Sequence, residues 1–181
     1  PGRGVCGLSM TVGRGECFAL LGRNGSGKTT LTRLLLGLEK AASGSLKVLG
    51  ANPKYGSGTH RRRLGAALDT SVHWEQASGW ANSYFPARSY SKPRRAIEAS
   101  LKALLALADL DKYAQDPVST YSFGMRRKLS LIQALCHDPE LLILDEPCAG
   151  LDPVARERFL VFIEDLAQSV HSPTMVFVTH H

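Results

Sequence analysis

No stretch of this 181-residue sequence approaches the roughly 18 unbroken apolar residues of a membrane-spanning helix, and no charged segment followed by an apolar run opens it. The expectation is a soluble chain. Cysteine is sparse: Cys6, Cys17, Cys136 and Cys148 are scattered, with no C-x-x-C pair and no histidines at zinc spacing. That pattern suggests neither a disulfide framework nor a metal site, and points to buried or idle thiols in a reducing cytosol. No internal repeat and no low-complexity tract divides the chain into modules. An acidic surplus is missing too. Against 16 Asp+Glu stand 22 Lys+Arg, a net charge of +6, which suits nucleotides, nucleic acid or a membrane surface without choosing among them.

An apolar content of 44% is enough, in a chain of this length, for one good core and hence one compact unit. The chain begins at Pro1 without a methionine and stops at His181, directly after "TMVFVT", whose β-branched residues read as a buried strand. These ends read as those of a fragment.

Along the chain, "ECFALL" (16–21) is a short apolar run followed by glycine-rich "GRNGSG" and by "KTTLTRLLLGL" with leucines at helical spacing, which predicts strand, loop and helix. "GLSMTV" before it and "SGSLKVLG" after it predict an antiparallel β flap beside a parallel core. The stretch from Thr70 to Pro93 reads as a loop with aromatic anchors Trp74, Trp80, Tyr84, Phe85 and Tyr90. Ile97, Leu101, Leu104, Leu105 and Ala108 then mark an amphipathic helix, and Met125, Leu129, Ile132 and Cys136 a second one with Ser122 as its N-cap. "ELLILD" reads as a strand buried in a parallel sheet, followed by a helix capped by Asp152 with Pro153 at its first position. Strands separated by helices predict a βαβ architecture, an α/β fold with a mainly parallel sheet flanked by helices.

"GRNGSGKT" fits G-x-x-x-x-G-K-[ST] from Gly22 to Thr29, with a strand before it and a helix after it. A triphosphate needs many donors close together, and only glycine lets backbone N–H groups approach without a Cβ in the way. Gly22, Gly25 and Gly27 supply that clearance, with Arg23, Asn24 and Ser26 between them. Lys28 would neutralise the β- and γ-phosphates, Thr29 would offer its hydroxyl to Mg²⁺, and the helix through Thr30 points its positive end at the anion. The bland reading is a glycine-rich turn that contains Lys-Thr by chance. Downstream, "LLILDEP" sets Asp145 and Glu146 at the C-terminal end of a buried strand, where ligands of open α/β sheets bind. Asp145 suits the Mg²⁺ sphere, and Glu146 suits the general base that prepares water. Two acids merely capping a strand is the competing reading, and the loop upstream weighs against it.

The order of these elements, with "YSFGM", "AGLD" and "VTHH", resembles the nucleotide-binding domain of ABC transporters over essentially all 181 residues. The resemblance implies a P-loop NTPase fold with an ATPase core at about 1–70 and 137–181 and a helical subdomain at about 71–136. It implies ATP and Mg²⁺ as cofactors, and a signature motif in which Ser122 and Gly124 grip the nucleotide of a second domain. Asp152 resembles the aspartate of the loop that crosses the dimer interface, and His180 the switch histidine that aligns Glu146, with His181 a bystander. Three departures stand in the signature: Tyr121, Phe123 and Met125 replace Leu, the first Gly and Gln. Aligning "LGAALD" with the family's pattern puts Asp69 where a glutamine normally links the metal to the membrane subunit; a solvent-facing loop aspartate is the competing reading. The adenine-stacking aromatic would lie upstream of Pro1.

The function so implied is the ATP-hydrolysing subunit of an exporter, most similar to the multidrug or antibiotic branch. It would pair with a second nucleotide-binding domain, as a homo- or heterodimer, and with a transmembrane permease holding it at the inner face of the cell membrane. The aromatic stretch from Trp74 to Tyr90 lies where the family meets that permease. Direct nucleic-acid binding is not expected. The clusters "HRRR" (60–63) and "KPRR" (92–95) nevertheless keep open a soluble ABC-type ATPase acting on ribosomes or nucleic acid. A third reading, a nucleotide-binding regulator with little hydrolysis, is opposed by Lys28, Asp145, Glu146 and His180.

Overall fold

The computed structural model describes residues 5–56, 58–68, 72–90, 92–169 and 172–180. Four strands, β1 (Cys17–Leu21), β2 (Leu64–Ala67), β3 (Leu141–Asp145) and β4 (Thr174–Thr179), form one sheet in the order β1-β4-β3-β2. Every pairing is parallel. The helices are α1 (Lys28–Leu35), the short α2 (Gly58–Arg61), α3 (Gly79–Ala87), α4 (Arg94–Leu107), α5 (Phe123–Leu135) and α6 (Pro153–Ala167).

Side chains alternate across a strand, so β3, apolar at four successive positions, must feed two cores. Leu142 and Leu144 join Met175 in a cluster with Leu101, Leu105, Leu129, Ile132, Phe159 and Phe162 of α4, α5 and α6. Leu141 and Ile143 turn the other way, to Val176, Val178 and Val48, with Leu20 and Leu35 packed against them. The sheet is thus covered on both faces, which is what parallel strands require.

The antiparallel flap expected from "GLSMTV" and "SGSLKVLG" is represented, among the described residues, by a single antiparallel bridge between Val48 and Ala51. Its two backbone hydrogen bonds close a tight turn rather than a ladder, and residues 5–14 lie in no strand. The "LGAA" segment, which carried no strand assignment in sequence, is β2. Gly65 makes it possible: a Cβ there would collide with the Ala134 carbonyl oxygen and stand 2.9 Å from Pro139 Cγ, so the strand backbone lies against the end of α5.

The segment read as an aromatic loop contains α3. Ser78 caps it by accepting the Ala81 N–H at 3.1 Å, and the buried Asn82 amide donates to the carbonyls of Trp74 and Ser78, both at 3.0 Å. Pro86 inside the helix supplies no N–H to the carbonyl of Asn82, four residues earlier. Gln133 of α5 fills that vacancy, its Nε2 donating to Asn82 O at 2.7 Å. The helix therefore depends on α5, a long-range partner that no local pattern announces.

Candidate functional site

The parallel register brings three strand ends together. Leu21 pairs with Thr179 and Asp145 with Val178, so the glycine loop after β1, the acids ending β3 and His180 after β4 open on one edge of the sheet. They line a cleft of about 720 Å³ formed by Asn24, Gly25, Gly27, Lys28, Thr29, Thr30, Asp145, Glu146, Ala149 and His180.

The loop is built for close approach. Gly25 and Gly27 sit at φ +81° and +94°, where a side chain is strained, and a Cβ on Gly22 would stand 2.7 Å from Ser26 Oγ. Lys28 Nζ donates to the carbonyls of Gly22 at 2.6 Å and Arg23 at 3.2 Å, which folds the ammonium back over its own loop. Gly27 caps α1 without a side chain, so no side-chain oxygen occupies the first-turn donors, and those N–H groups have no intrahelical acceptor. Ammonium, oriented amides and the helix dipole together make this end of the cleft a receptor for phosphate.

Facing it is a carboxylate held on several sides. Glu146 lies in the left-handed region at φ 48°, a conformation that costs a non-glycine residue about 1–3 kcal/mol and persists only when its surroundings enforce it. β4 supplies part of that enforcement. The Glu146 N–H donates to Val178 O at 2.8 Å, Thr179 Oγ1 donates to Oε2 at 3.1 Å, and His180 Nδ1 lies 2.6 Å from Oε1. Burial pushes the Glu146 carboxyl upward, but the hydrogen bonds from His180 and Thr179 outweigh it and hold the group below the usual carboxylate range. At neutral pH it is a carboxylate, ready to accept a proton. Thr179 was passed over in sequence. Its signal was there, since it is the strand residue between the buried Val178 and His180.

For a metal, the cleft offers the Thr29 hydroxyl and the Asp145 carboxylate. Among the described residues no cluster of three or more His, Cys, Asp or Glu side chains could hold an ion. So sparse an oxygen set fits a hard divalent cation that completes its sphere with phosphate and water. Asp69, the third residue expected at the metal, lies outside the described residues.

Ser122, Gly124 and Asp152 are not in this cleft. They line another, of about 610 Å³, where the first turns of α5 and α6 meet beside Lys128 and Arg158. Ser122 Oγ accepts the Met125 N–H at 3.2 Å and Asp152 Oδ1 accepts the Ala155 N–H at 2.9 Å, so both are helix caps. A Cβ on Gly124 would stand 3.4 Å from Ala155 Cβ, in ordinary contact. Tyr121, where the resembled motif has leucine, is buried, and its hydroxyl donates to Tyr113 O at 2.7 Å. Burial beside Asp116 pushes its pKa up to about 12. Gly79 makes room for it, because a Cβ there would collide with the tyrosine hydroxyl.

A family model described as ABC transporter matches residues 5–149. The chain is 39% identical over 176 residues to the Nod factor export ATP-binding protein I of Rhizobium meliloti (strain 1021), covering 97% of this chain and 52% of the relative. Identity to the uncharacterized ABC transporter ATP-binding protein YdbJ of Bacillus subtilis (strain 168) is 37% over 173 residues, or 96% of this chain and 55% of that one. Among solved structures, cbiO1 from Clostridium perfringens, described as part of the ABC transporter complex cbiONQ, superposes with a TM-score of 0.87 at 27% identity, covering 98% of this chain and 72% of that one. The chain spans about half the length of the curated relatives it matches.

Proposed function

This chain belongs to the ABC transporter family, and from that premise we propose that it binds and hydrolyses ATP to power export through a separate membrane permease. The observation that carries the reading is the cleft that sets Lys28 opposite Glu146, with His180 and Thr179 gripping the carboxylate. In it the amides of Gly25 and Gly27, with Arg23, Asn24, Ser26 and Thr30 around them, cradle the phosphates, and Lys28 leaves the carbonyls of Gly22 and Arg23 to bind them. Thr29 and Asp145 would hold Mg²⁺, which when bound neutralises phosphate charge. Glu146 accepts a proton from water as its oxygen bonds to the γ-phosphorus; the bond to the β-phosphate bridging oxygen breaks, leaving ADP and phosphate. His180 keeps that carboxylate ionised and aimed.

Ser122, Gly124 and Asp152 face a separate cleft, which supports their use on the nucleotide of a second domain of the same kind. Pairing of two domains over two nucleotides is then the step that assembles a complete site. The helical segment at about 71–136 carries the exposed rings of Trp74 and Phe85, edge to face at 6.3 Å, as a surface for the permease. No helix of the described residues is long and apolar enough to cross a membrane. Residence at the inner face of the membrane would come through that partner. Export rather than import is supported by the Nod factor export relatives.

The ribosome or nucleic-acid reading loses support at its basic clusters. Arg63 pairs with Glu140, Lys92 with Asp138 and Arg94 with Glu98, so much of their charge is met within the chain. The deciding experiment is Glu146→Gln in the full-length protein with its permease. ATP-dependent pairing is retained and phosphate release falls by about a hundredfold or more, as loss of a general base requires. Undiminished phosphate release would remove Glu146 from its role. Recovery of salt-sensitive RNA or DNA in place of a membrane subunit would favour the other class.

A further inference from the structure

Phe123 is an apolar ring at the start of α5, 52% exposed, where the resembled signature has glycine. It is not idle. Its Cε1 and Cζ lie 3.1 and 3.3 Å from the place a Cβ on Gly150 would take, and Gly150 itself sits at φ +75°. Ring and loop backbone therefore meet more closely than a side chain at 150 would allow. Arg127, one turn along α5, lays its guanidinium over the same ring at 5.2 Å from the centroid and directs Nη2 to the Ala149 carbonyl at 3.4 Å. Ala149 lines the phosphate cleft, and its N–H donates to Glu146 O at 3.1 Å. A Cβ placed on Gly124 would stand within van der Waals reach of Leu151 and Ala155, so α5 runs beside that loop about one side-chain carbon away. The first turn of α5 thus straddles the loop that runs from Glu146 to the cap of α6.

We propose that Phe123 and Arg127 form a clamp on residues 146–151 and act as positioning residues for Glu146. The inference rests on the reading of Glu146 as general base and extends it to the opposite side of the residue. The Val178 carbonyl holds the Glu146 backbone N–H, and Thr179 and His180 hold its carboxylate; the clamp holds the loop that leaves it. A glycine at 123 would provide neither the ring against Gly150 nor the platform for Arg127, so the departure from the motif creates a contact. Movement of α5 is transmitted through that contact to the carboxylate, and turnover depends on the ring while nucleotide affinity does not.

The test is steady-state ATP hydrolysis, with binding of a fluorescent ATP analogue, by the full-length protein with its permease carrying Phe123→Ala, Phe123→Tyr or Arg127→Met. Phe123→Ala and Arg127→Met each lower kcat about tenfold at unchanged KM and analogue affinity, because a displaced base costs rate rather than binding. Phe123→Tyr keeps the ring and the wild-type kcat. The double variant Phe123→Ala/Arg127→Met is no slower than either single one, since both dismantle one clamp. Wild-type kcat in Phe123→Ala overturns the proposal, and so does a raised KM at intact kcat, which would make the ring a nucleotide contact. A kcat loss that vanishes on lowering the assay temperature is a folding effect and overturns it too. If Glu146→Gln retains turnover, the base assignment itself fails; if Glu146→Gln is inactive and Phe123→Ala is normal, only the clamp fails.

Discussion

His180 Nδ1 lies 2.6 Å from Glu146 Oε1, joining the residue that follows β4 to the one that follows β3. A carboxylate can only accept, so Nδ1 carries the proton. Two neighbouring strand ends thereby share one charged group, and its ionisation becomes a property of the sheet edge.

His180→Ala should move the acid limb of the ATPase pH profile upward. Burial raises the Glu146 carboxyl, and the hydrogen bonds from His180 and Thr179 bring it below its ordinary value. With the imidazole gone, burial is opposed only by Thr179 and by the backbone N–H of residue 180. The sign for stability follows: a depressed folded value stabilises above the ordinary carboxylate range, and that contribution disappears as pH falls through the folded value. Denaturant unfolding of wild type and Glu146→Gln should therefore differ at neutral pH and converge on acidification. An unshifted acid limb in His180→Ala would separate the histidine from the carboxylate's ionisation.

Gly65→Ala should destabilise the fold by about 1–3 kcal/mol, the usual cost of forcing atoms into a filled site. The added methyl would meet the Ala134 carbonyl oxygen and Pro139. The first is backbone of the last turn of α5 and the second a ring closed onto the chain between α5 and β3, so neither can swing away. A chemical-denaturation midpoint equal to wild type would contradict the close approach of β2 to α5.

Gln133→Leu should cost about 1–3 kcal/mol, because it leaves a buried carbonyl, that of Asn82, without a donor. In a Pro86→Ala background the penalty should shrink, since alanine restores the in-helix N–H that proline lacks. The measurement is a double-mutant cycle by thermal or denaturant unfolding. Equal costs in both backgrounds would show that Pro86 and Gln133 do not share that acceptor.

Glycines at 22, 25 and 27 before Lys-Thr were legible because phosphate chemistry leaves few alternatives to a side-chain-free backbone. The caps at Ser122 and Asp152 were legible because an Oγ or Oδ three residues ahead of an N–H is a local arrangement. The flap was over-read: alternation in "GLSMTV" is a necessary condition for a strand, whereas a ladder also needs a partner in register. α3 was under-read, since Pro86 and the polar Asn82 and Ser83 argue against a helix until Gln133 arrives from 51 residues away.

The order of residues alone determined which chemistry was possible: a glycine loop with Lys28, an acidic pair at 145 and 146, and a histidine after a β-branched run. Those are statements about atoms near one another in sequence, where covalent geometry leaves little freedom. Tertiary structure decided that Glu146 is depressed rather than raised, that Ser122 and Lys28 line different clefts, and that Phe123 lies on Gly150. Each of these depends on packing between elements far apart in the chain, and burial, register and close approach exist only once the sheet has brought those elements together.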